Sequence, residues 1–245
     1  MSFLIAEWRK LAMANYVVDK QILEKHVPFG TELDLFKGKC YVSLVGFMFK
    51  NTKLLGIKIP YHTNFEEVNL RFYVKRFEDG EWKRGVVFIK EIVPKRALTF
   101  IANTVYKENY ETMPMKHSWK EDSSSRLVEY NWTKNGRNNS FRVRATLEAN
   151  NLIPESETEF IAEHYWGYAK ISSKKSNEYE VRHPRWKVYQ VLDYDIDVDF
   201  GLVYGMDFDF LTGKSPDSIM LAEGSEISVE HKNSIKTHYN SAYKP

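Results

Sequence analysis

The chain has 245 residues, with 35 Lys and Arg against 33 Asp and Glu and a formal net charge of +2. That balance, with no basic block, leaves no electrostatic footprint for DNA or RNA. A single cysteine, Cys40, permits no intramolecular disulfide and reads as a small buried hydrophobe. At this length one core buries enough surface to fold without a disulfide or metal staple, so residues 1–245 are expected to form a single domain.

From the N-terminus, the apolar patch within Met1 to Met13 is broken by Glu7, Arg9 and Lys10. It is too short and too charged for a signal peptide or membrane span, so a cytoplasmic protein with no membrane partner is expected. Asp19 to His26 reads as a helix, with Asp19 as N-cap and Pro28 as its stop. Cys40 to Phe49, Val68 to Val74 and Val86 to Ile92 read as strands. Pro94 to Lys107 reads as a second helix, because Pro suits the first helical position and Leu98, Ile101, Ala102 and Val105 recur at helical spacing as a core stripe. The polar run Glu121 to Ser125 leads into a hairpin, Arg126 to Thr133 and Ser140 to Leu147, around Asn135-Gly136. Further strands are expected at Tyr165 to Ile171, at Tyr179 to Val191, and in a closing pair, Ser218 to Leu221 and Glu226 to Val229. Many antiparallel strands with few helices make a mainly β protein, a sandwich or a closed antiparallel β barrel; periodicity leaves both open.

The strand over Glu67 to Val74 is the most informative. Val68, Leu70, Phe72 and Val74 share one face, so Glu67, Asn69, Arg71 and Tyr73 share the other. That polar row is either a solvated outer wall or the inside of a lumen. As a lumen row it would fix a small polar ligand, and an organic acid suits an arginine that grips carboxylates through two hydrogen bonds. A second candidate is the helix start Pro94-Lys95-Arg96, where two cations occupy the turn at which the helix dipole favours anions. Buried there, Lys95 would lose its proton readily beside Arg96 and become a nucleophilic amine; exposed, the two cations would reach into water. Two segments, Glu163-His164-Tyr165-Trp166-Gly167-Tyr168 and Val181-Arg182-His183-Pro184-Arg185-Trp186, flank a turn around Lys174 to Asn177. As two arms of one hairpin they bring His164, Trp166, His183 and Arg185 to one end of a pocket, unless these simply pack as structural aromatics and histidines. Cysteine pairs, His-Glu-x-x-His, Gly-x-Ser-x-Gly, Walker and dinucleotide patterns are all missing from the sequence, so no metal and no cofactor is expected.

These segments resemble the YqjF-like family, an uncharacterised bacterial domain. The resemblance runs over nearly the whole chain: Leu33-Asp34-Leu35-Phe36-Lys37-Gly38-Lys39-Cys40-Tyr41-Val42-Ser43-Leu44-Val45-Gly46-Phe47, Glu67-Val68-Asn69-Leu70-Arg71, Glu91-Ile92-Val93-Pro94-Lys95-Arg96-Ala97, Glu163 to Tyr168, and His183 to Trp186. That family is similar in fold to acetoacetate decarboxylase, a closed antiparallel barrel with its active site in the lumen, so the resemblance favours a barrel. It also implies that Lys95 is a Schiff-base nucleophile, Arg96 the neighbour that lowers its pKa, and Glu67 a proton-handling carboxylate. Arg96 stands where the decarboxylase has a second lysine.

Three functions follow as alternatives. The first is a pocket protein whose lumen holds a small, anionic organic acid or a ketone through Arg71, Asn69 and Glu67. The second is a lysine-dependent decarboxylase or lyase acting on a β-keto acid, and the third a structural or assembly module whose aromatics pack a subunit interface, as in a homo-oligomer.

Overall fold

The computed structural model describes residues 2–236. Its strands are β1 (Leu4–Val18), β2 (Glu32–Leu33), β3 (Cys40–Leu54), β4 (Phe65–Glu78), β5 (Glu81–Val93), β6 (Tyr110–Thr112), β7 (Met115–Glu121), β8 (Arg126–Lys134), β9 (Arg137–Asn151), β10 (Trp166–Ser172), β11 (Lys175–Arg182), β12 (Lys187–Asp197), β13 (Ser218–Val229) and β14 (Asn233–Lys236). The α-helices are α1 (Lys20–Glu24), α2 (Arg96–Ile101), α3 (Glu157–Ala162) and α4 (Phe200–Tyr204). The protein is mainly β.

Hydrogen bonding runs in the order β14-β11-β10-β5-β4-β3-β1-β13-β12-β9-β8-β7. In addition, β11 pairs with β13 through Val181–Val229 and Arg182–Ser228, so the path from β11 through β10, β5, β4, β3 and β1 to β13 returns to β11. Pairing is antiparallel except for β10 with β5 and β6 with β5, which are short and parallel.

β4 is buried on both faces. Val68, Leu70, Phe72 and Val74 pack into a core shared with Val128, Tyr130, Phe141 and Val143 of the β8–β9 hairpin. On the other side Tyr73 joins Phe47, Phe49 and Phe65 in a second apolar cluster. A strand covered on both faces reads as hydrophobic on each, and polar groups on the second face must then find partners or line a space.

Several expected elements are redrawn. α1 forms with the Asp19 side chain accepting from the Gln21 amide, as a cap should. The run Tyr179 to Val191 is not one strand: it breaks at 183–186 into β11 and β12, because Pro184 has no amide to give a ladder. Ser218 to Val229 is one strand, not a pair. Gly224, at φ +82°, pairs with Arg9 in unbroken register, and a side chain there would collide with the Trp8 carbonyl. The second helix is shorter at its start, and α2 runs on into a π-helical turn over Ala102–Tyr106. The wider turn rotates the apolar stripe, so Tyr106 faces inward and Val105 outward.

Candidate functional site

Strand register builds the site. Glu67, Asn69 and Arg71 alternate along β4 toward the inner cluster, and β3 places Phe47 directly opposite Glu67 and Ser43 opposite Arg71. On the other flank β5 places Glu91 opposite Asn69, and β6 places Tyr110 beside Glu91. Asn69, Glu91 and Tyr110 therefore lie in one row across three strands. α2 and its π-helical extension cover the row, with Leu98, Ile101, Ala102 and Tyr106 turned inward, and the chain after it delivers Glu108.

The cavity, partly open to the outside, measures about 150 Å³. Its wall is chiefly aromatic and aliphatic, and its polar groups include Glu67, Asn69, Arg71, Glu91, Glu108, Tyr110, His164, Tyr179 and His183. Asn69 Nδ2 donates to Glu67 Oε1 at 3.0 Å, and the Tyr110 hydroxyl donates to Glu67 Oε2 at 3.2 Å. The Tyr179 hydroxyl donates to Glu108 at 2.9 Å. Tyr179 reaches across because its strand neighbour is Gly167, where a Cβ would lie 2.2 Å from the tyrosine ring. Glu91 Oε2 is buried and has no hydrogen-bond partner among the described residues.

Burial governs the titration of these groups. It raises the Glu67 carboxyl to about 7, against the opposing hydrogen bonds of Asn69 and Tyr110 and the charge of Arg71. Burial also raises Glu108 to about 8, with Glu67 adding repulsion, and lifts Glu91 well above the usual range, with Glu108 and Glu67 adding to it. Burial pushes His164 down to about 4 although Asp34 opposes it, and His183 likewise to about 4.

Arg71 stands apart. The residue is 7% exposed, its Nε has no partner, and it makes no ion pair among the described residues. One terminal nitrogen has only long contacts, 3.5 Å to the Ile161 carbonyl and 3.9 Å to the Met13 sulfur.

Of the residues singled out from sequence, Glu67, Asn69, Arg71, His164, Trp166 and His183 line the cavity together. Tyr73 is buried next to it, bonded to Ser43 and packed on His164. Arg185 points outward to Glu159 and Glu163. Arg96 is exposed, and Lys95, half-buried at the N-cap of α2 without a side-chain cap, is not among the lining residues. The sequence reading missed Glu91, Glu108, Tyr110 and Tyr179. Glu91 and Tyr179 lie within expected strands whose pairing register the sequence does not give, and Glu108 and Tyr110 lie outside every expected element.

A profile of the DUF2071 family, described as an uncharacterized conserved protein, matches residues 5–226. The chain belongs to this family. It is similar to the uncharacterized protein YqjF of Bacillus subtilis, 31% identical over 110 residues, an alignment spanning 44% of this chain and 44% of that one. Among solved structures it is similar to acetoacetate decarboxylase from Legionella pneumophila (TM-score 0.63, 8% identity, 95% of this chain and 86% of the other). It is also similar to the enduracididine biosynthesis enzyme MppR with HEPES buffer bound (TM-score 0.67, 11% identity, 97% and 90%). At those identities the likeness is one of fold. Among the described residues no helix is long and apolar enough to cross a membrane, and no cluster of three or more His, Cys, Asp or Glu side chains suits a metal ion.

Proposed function

We propose that this DUF2071 member binds a small organic acid or ketone in the lumen of a closed, acetoacetate decarboxylase-like barrel. Arg71 holds the carboxylate, and Asn69 and Glu67 fix the remaining polar atoms. Arg71 carries this reading. A buried guanidinium without a counter-ion is costly, and the usual remedies are a carboxylate partner or access to water. Among the described residues Arg71 has no carboxylate of its own, it lacks full exposure, and it lines a cavity of about 150 Å³, room for a ligand of a few heavy atoms. The returning path of strand pairing supports the closed barrel, and MppR in complex with pyruvate supports the ligand class.

The lysine-dependent alternative has less support, since no lysine among the described residues lines the cavity. The assembly-module alternative needs a lumen filled by side chains, which a cavity of this size does not favour.

Calorimetric titration with pyruvate tests the proposal. Binding is expected, and Arg71→Leu should weaken it about ten- to hundredfold, the range for one charge-assisted hydrogen bond. Equal affinity in the two proteins, or no heat with pyruvate or other small monocarboxylates, would refute it.

A further inference from the structure

The cavity contains more acid than a binding site for a carboxylate needs. Glu67, Glu91 and Glu108 all line it, together with the unpaired Arg71. Crowded in a low-dielectric space, three carboxyl groups cannot all ionise, and their surroundings decide which one does. Glu67 receives hydrogen bonds on both oxygens and lies within the field of Arg71, which favours its anion. Glu91 has an orphan oxygen and two carboxyl neighbours, which favours its neutral acid. Glu108, held by Tyr179, supplies one of those neighbours.

Resting on the binding reading above, we infer that this cavity enolises small 2-oxo acids without an amine, with Glu67 as base, Glu91 as acid and Glu108 as a positioning residue. Arg71 takes the substrate carboxylate. The Glu67 carboxylate removes a proton from C3, the C3–H electron pair becomes the C2=C3 bond, and the C2=O pair takes a proton from Glu91. The product is the enol isomer, so no oxidant, reductant or second substrate is needed. Reversal with a solvent proton on Glu67 returns the keto form with exchanged hydrogen. A neutral carboxylic acid at Glu91 is the proper partner for a carbonyl oxygen, whereas a second anionic group on the ligand would meet repulsion from Glu67. The raised titration of Glu67 to about 7 and of Glu108 to about 8 agrees with a base that works near neutrality beside acids that stay protonated.

The test is exchange of the pyruvate methyl protons in D2O, followed by proton NMR with calorimetry alongside. Wild-type protein should accelerate exchange above the buffer blank. Glu67→Gln and Glu91→Gln should each slow it about a hundredfold while pyruvate still binds, Lys95→Arg should leave it unchanged, and Glu108→Gln should move its pH profile to lower pH. If Glu91→Gln does not fold, the wild type decides, because exchange must survive borohydride treatment in the presence of pyruvate, which would inactivate an imine-forming enzyme. Pyruvate binding without exchange overturns this inference and leaves the binding reading standing. Loss of exchange in Lys95→Arg, or after borohydride, also overturns it, and absence of binding removes both.

Discussion

Two arginines near the same end of the cavity meet opposite fates. Arg84 donates from Nε to Asp34 Oδ2 at 2.6 Å, and His164 Nε2 donates to the same oxygen at 3.2 Å, so one ionised carboxylate satisfies two donors. Burial alone would raise the Asp34 carboxyl, but the hydrogen bonds of His164 and Arg84 outweigh it and hold it below its usual range. Arg71, more deeply buried, has no such partner among the described residues. The first arrangement is complete in itself and fixes His164 with its proton on Nε2. The second leaves its charge without a carboxylate among the described residues. On the binding reading proposed above, the charged group that the fold leaves unpaired is the one that meets a ligand, and the group it pairs is a joint.

The largest expected effect separates the acid cluster from the histidines by pH. Carboxyls raised by folding contribute stability that is fully present below their unfolded pKa, near 4.5, and lost as pH rises through the folded values of about 7 for Glu67 and about 8 for Glu108. His164 and His183, lowered to about 4, act in reverse: their contribution is present above about 6.5 and lost as pH falls toward 4. Between about pH 4.5 and 6.5 the two pairs offset each other, so from these four groups thermal stability should be roughly level there and fall on both sides. Glu67→Gln should flatten the alkaline side, its stability relative to wild type being about 3 kcal/mol better at pH 8 than at pH 4. Urea titrations at the two pH values measure this, and a pH-independent difference would show that Glu67 is not the titrating group.

Next in size is the joint. Asp34→Asn removes the charge that both Arg84 and His164 depend on, and should cost about 1.5–3 kcal/mol, less than a fully buried pair because Arg84 keeps some contact with water. Urea denaturation at pH 7 reads the loss. Arg71→Leu should do the contrary, with an unchanged or raised melting temperature, because it removes a buried charge that no carboxylate compensates. If Arg71→Leu destabilised the protein as much as Asp34→Asn does, Arg71 would be a second joint.

What the sequence revealed followed from periodicity. The alternation along Glu67 to Val74 separated the polar row correctly, and it survived because a strand side chain has only two directions. It left the two faces undecided between water and lumen, since burial on both sides depends on the β8–β9 hairpin, far along the chain. Glu91 needed the register of β5 on β4, and Glu108 and Tyr179 meet only when β11 is brought close over Gly167. Such meetings are not encoded at any fixed sequence spacing. α3 was legible and overlooked: Ser156 followed by Glu159 is a capping signature, and the Ser156 hydroxyl does accept from the Glu159 amide.

The smallest expected effect concerns Lys95. Its place at the start of α2 puts a cation at the positive end of a helix dipole, which sequence alone reads as a functional conflict. The helix is only Arg96–Ile101, and Lys95, half-buried, makes no side-chain hydrogen bond or ion pair among the described residues, so the conflict is relieved by water. Lys95→Arg keeps the charge and should change stability by no more than about 0.5 kcal/mol, as surface substitutions do. Pyruvate affinity should also be unchanged, because Arg71 and not Lys95 lines the cavity. Borohydride added to wild type with pyruvate or acetoacetate, followed by peptide mapping, should find no adduct at Lys95. An adduct there, absent from Lys95→Arg, would mean that α2 swings inward to present the amine, and the comparison would then have to be drawn between Arg71 and a lysine that shares its cavity.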